Sequence, residues 1–98
     1  MVKKIFNKQK FLQEYVEPLG KIPKREQQYL VMVNRRLFIM SKLREYEKRT
    51  EDPEELLEIY ETIVSLKKSF TFFYEDILAR KKIEEIKSKM EKARLEKD

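Results

Sequence analysis

A single glycine, Gly20, and three prolines punctuate 98 residues. Strand-rich and mixed α/β folds need more turn residues than this, so the scarcity points to helices joined by few connections. The apolar residues agree, because they recur in blocks at helical spacing. Hydrophobic residues make up 41% and charged residues 42% of the chain. That apolar content is too high for a disordered chain and sufficient for one small core. The expected class is all-α: a small antiparallel three- or four-helix bundle, in one domain over residues 1–98, with an extended charged C-terminal helix.

Residues 1–7 read as a basic arm. A first helix is expected over residues 8–20, with Asn7 as N-cap and Gly20 at the C-terminal cap. Phe11, Leu12, Tyr15, Val16 and Leu19 give it one apolar face. Pro18, four residues after Glu14, is expected to disturb its last turn. A second helix is expected over residues 23–49, with Pro23 in its first turn. Leu30, Val33, Leu37 and Met40 make one stripe on it, and Tyr29, Met32, Ile39, Leu43 and Tyr46 the adjacent one. A face this wide implies the central helix, with an aspartate at Val33 or Leu37 expected to unfold the protein.

The clearest boundary is Thr50-Glu51-Asp52-Pro53-Glu54-Glu55. Asp52 suits the N-cap and Pro53 the first helical position, while Glu54 and Glu55 suit the positive end of the helix dipole. A third helix over residues 53–69 then forms a hairpin with the second. A fourth over residues 70–97 opens on Phe70, Phe72, Phe73 and Tyr74, which read as core; a bend in one continuous helix fits equally well. Ile83, Ile86, Met90 and Ala93 then form a narrow seam, as at a coiled-coil edge, and mark a surface for self-association.

Charge is uneven along the chain. Residues 1–49 hold thirteen Lys and Arg against five Glu, and residues 50–98 hold ten against thirteen acidic residues. Lys3, Lys4, Lys8, Lys10, Lys21, Lys24, Arg25, Arg35 and Arg36 are therefore candidate contacts for phosphate or an acidic protein. Solvated helix faces and helix-end chemistry account for much of the same asymmetry. For Arg35 and Arg36 the plainer expectation is a rim position or a carboxylate partner on the third or fourth helix.

Histidine and cysteine are absent, which removes the commonest catalytic bases, nucleophiles and transition-metal ligands. No glycine loop for phosphates exists, and pairs such as Glu58 with Glu61 read as surface charge. No catalytic residue, metal site or cofactor is expected. The longest apolar run, Tyr29 to Val33, falls far short of the ~20 residues of a membrane span. The N-terminus lacks a signal-peptide pattern, so a cytoplasmic or other intracellular location is expected. As a helix-turn-helix, the hairpin would present an acidic third helix to phosphate, so nucleic acid would have to bind the N-terminal half.

The stretch Phe73-Tyr74-Glu75-Asp76-Ile77-Leu78-Ala79-Arg80-Lys81-Lys82-Ile83 is similar to the helical region of GINS replication subunits; no residue role is carried over from that likeness. The functional expectation is a non-enzymatic protein–protein interaction or assembly module, self-associating or bound to another protein. The alternative is a small basic protein holding the phosphate backbone of nucleic acid through its N-terminal half.

Overall fold

The computed structural model describes residues 5–20 and 28–96. Every regular element among them is helical: α1 (Lys8–Phe11), α2 (Gln28–Arg49), α3 (Pro53–Ser65), α4 (Lys67–Phe70) and α5 (Phe73–Glu96). The all-α expectation is met. The expected start of the second helix at Pro23 lies outside the described residues, as do residues 1–4 of the basic arm.

Local chemistry sets the ends of these elements. Asn7 accepts a 3.0 Å hydrogen bond from the Lys10 N–H, as an N-cap should. Pro18, which has no N–H to donate, does not end the first helical segment. The segment instead widens into a π turn, Leu12–Val16, and then tightens into a 3-10 turn, Glu17–Leu19. Gly20 closes it at φ 64°, where a side chain would be strained. Asp52 stands at the N-cap of α3 without a capping hydrogen bond from its side chain, and Pro53 takes the first helical position.

The core corrects the expected centre of the fold. Ile59, Tyr60, Thr62 and Ile63 of α3 are buried, and α5 packs along α3. Ile39, Met40 and Leu43 bring only the C-terminal half of α2 into the core. The central helix is therefore α3. Leu37 is 62% exposed, Leu30 64% and Tyr29 75%, while Val33 is half-buried. The wide apolar face of α2 is real, but part of it looks into solvent. Leu37→Asp is accordingly expected to melt within about 4 °C of the wild type by circular dichroism, since substitutions at exposed sites stay within about 0.5 kcal/mol.

Residues 53–96 are neither one bent helix nor two helices meeting at 69–70. α3 ends at Ser65, α4 adds one turn, and Thr71 adopts the left-handed conformation, φ 55°. That break shifts the helical phase. Phe70 and Phe72 stack inside the core, with ring centroids 5.6 Å apart. Phe73 and Tyr74, expected in the core, are 58% and 67% exposed. Asp76, buried in the first turn of α5, receives Arg80 at 3.0 Å and Lys67 at 3.4 Å and so fixes the corner.

The N-terminal segment is part of the fold. Phe6 and Phe11 are buried in an aromatic group with Tyr15 and Tyr46. The carboxylate of Glu55, itself buried, accepts the backbone N–H groups of Ile5 and Phe6 and the hydroxyl of Thr50. This role was not legible from its place in the first turn of α3.

Candidate functional site

The nine candidate cations do not assemble into one described surface. Lys3, Lys4, Lys21, Lys24 and Arg25 lie outside the described residues. Lys8 and Lys10 sit on α1, and Lys10 stands 3.8 Å from Glu14. Arg35 donates to the carbonyls of Leu19 and Gly20, at 2.7 and 2.9 Å. Its guanidinium also lies 5.4 Å from the Phe70 ring centroid. It thereby caps the carbonyls left open where the first helical segment ends. Arg36 pairs with Glu75 of α5, a carboxylate partner of the kind anticipated for it. Both arginines are held by intramolecular partners.

The seam on α5 is divided. Ile83 and Ile86 pack against the core, Met90 is half-buried, and Ala93 is exposed. Ile83 and Ile86 thus brace α5 against the rest of the protein. An aspartate at Ile86 would weaken that brace as well as any contact between chains.

The larger uncovered surface lies elsewhere. α2 and α5 do not pack along their backbones; Arg36 and Glu75 bridge the gap between them. Two depressions occupy this gap, of about 540 Å³ and 160 Å³, and both are lined by Met40, Arg44 and Glu75. They form one cleft, floored by Ile59, Tyr60 and Ile63 of α3. Leu30, Val33 and Leu37 follow each other at helical spacing on the α2 side. On the α5 side, Leu78, 45% exposed, lines the cleft beside Glu75, Ala79 and Lys82, whereas Tyr74 and Ile77, 67% and 65% exposed, are not among its lining residues.

At the floor, Tyr60 donates its hydroxyl to Glu47. Burial, reinforced by that carboxylate, raises the Tyr60 hydroxyl above its ordinary value of 10.0. The folded state therefore holds this proton more tightly than the unfolded state. Its contribution to stability is complete below about pH 10 and is lost as pH rises through the folded value. Tyr60→Phe is expected to lose about 1 kcal/mol at neutral pH and to flatten the alkaline decline. Urea midpoints measured from neutral pH to above pH 10 check both effects.

Among the described residues, no helix is long and apolar enough to cross a membrane, and no three carboxylates converge as a metal site would require. The polar groups of the cleft are suited to orienting a bound chain. Its walls offer apolar area, and Arg44, Lys48 and Lys82 stand among its lining residues. Comparison with family models, curated proteins and solved structures finds no match to this chain.

Proposed function

We propose that this protein is a non-enzymatic protein–protein interaction module whose docking site is the cleft between α2 and α5. The observation that carries the reading is the exposure of Leu37 on one wall, at 62%, and of Leu78 on the other, at 45%, with Val33 and Met40 beside them. Leu30, 64% exposed, extends the α2 side of this apolar surface at helical spacing. Such a patch is maintained against aggregation when a partner covers it. The absence of histidine and cysteine and the lack of a phosphate-binding glycine loop support a binding role over catalysis.

Self-association belongs to the same reading, with a second copy as one form of partner. The nucleic-acid alternative rests on charge balance alone, since Arg35 and Arg36 are engaged within the chain. The test is affinity capture from extracts of the source organism, with and without nuclease. Wild-type protein and the Leu37→Asp/Leu78→Asp double variant serve as baits. The expected result is a nuclease-resistant protein set that the double variant loses while remaining folded. Capture that survives the double substitution, or that requires nucleic acid, removes the reading.

A further inference from the structure

We infer that the α2–α5 cleft receives an acidic amphipathic helix from a partner protein. The inference rests on the docking reading above and adds the chemistry of the occupant. The first argument is shape. Both walls are helices, and no strand edge exists among the described residues to template an extended peptide. From Leu30 to Lys48 the α2 wall runs for about 27 Å, the length of a helix of about 19 residues.

The second argument is charge. The acidic residues lining the cleft are engaged. Glu47 accepts from Tyr60, Glu75 pairs with Arg36, and Glu45 stands 3.9 Å from Lys42. Arg44 and Lys48 have no ion-pair partner among the described residues, whereas Lys82 pairs with Glu85 at 3.9 Å. The cleft thus has an apolar end around Leu37 and Leu78 and a cationic end at Arg44 and Lys48. A helix that fits carries two or three apolar turns followed by carboxylates on the same face.

A second copy fits less well. A two-fold dimer through this face applies the same cationic end to both sides, on chains of formal charge +5.

The test uses the full 98-residue chain and two labelled synthetic helical peptides of about 20 residues. Both peptides carry the same leucine stripe; one has glutamates at its cation-facing end and the other has lysines. Fluorescence anisotropy at low salt is expected to favour the glutamate peptide by about tenfold, as a few rim ion pairs would give. Arg44→Glu/Lys48→Glu should reverse that preference, and Leu37→Asp/Leu78→Asp should weaken both peptides. Circular dichroism melts confirm that the variants are folded.

Equal or tighter binding of the lysine peptide, or binding of neither, overturns the inference. A dimer in sedimentation equilibrium that Leu37→Asp/Leu78→Asp dissolves also overturns it, because a second copy then fills the cleft. Loss of charge preference alone leaves the docking reading standing. That reading falls as well if the double substitution changes neither peptide binding nor cellular capture.

Discussion

Glu55→Ala is expected to destabilise the protein by about 3 kcal/mol in urea denaturation, against little change for Glu54→Ala one residue earlier. Glu54 is exposed, whereas Glu55 is 2% exposed. The Glu55 carboxylate serves three donors: the N–H groups of Ile5 and Phe6 and the hydroxyl of Thr50. Hydrogen bonds to a charged acceptor contribute about 1.5–3 kcal/mol each, and a buried donor left unpaired is unfavourable by a similar amount. The Ile5 N–H lies near the surface and can turn to water, so the full sum will not be lost. The damage should begin locally. Without its acceptor the N-terminal strap releases Phe6 from the aromatic group with Phe11 and Tyr46. Hydrogen exchange at the Phe6 amide should therefore rise before global unfolding does. Glu55→Gln keeps one acceptor and should fall between wild type and alanine. An alanine variant as stable as wild type would mean that the strap is not held by Glu55.

The same residue marks a limit of sequence reading. Glu55 follows Asp52-Pro53, where an acid suits the helix dipole, and that account was sufficient by itself. Its two backbone partners lie 49 and 50 positions away, beyond any local pattern. One signal was available: Glu55 precedes Ile59 by four residues and Thr62 by seven, so it shares the inward phase of α3. A charge on an inward phase calls for buried partners. The caps were legible because capping depends on residues a few positions apart, as at Asn7 and Gly20. The exposed face of α2 was not legible in the same sense. A stripe of Leu30, Val33 and Leu37 states that burial is favourable, but leaves open whether the covering surface belongs to the same chain. Helical spacing alone points the wide face into an internal core, whereas half of it forms the cleft wall.

Phe72→Ala should lower stability by about 3–5 kcal/mol, while Phe73→Ala changes it by no more than about 0.5 kcal/mol. The two residues are neighbours of the same type, and helical spacing alone would place both in a core. Thr71 separates their fates. Its left-handed φ of 55° ends α4, and α5 restarts with Phe72 pointing inward at 0% exposure and Phe73 outward at 58%. Phe72 stacks on Phe70, whose ring also carries the Arg35 guanidinium that caps the first helical segment. Removing Phe72 therefore opens a cavity at the point where the first helical segment, α2, α4 and α5 are tied together. A chain of this length has a total stability on the order of 5–15 kcal/mol, so the loss is a large share of it. At about 4–8 °C per kcal/mol, the melting temperature should fall by roughly 12 °C or more. Phe72→Leu refills most of the space and should recover much of the loss. Equal effects of alanine at positions 72 and 73 would show that the helical phase is not reset at Thr71. Phe73 and Tyr74 would then belong to the core.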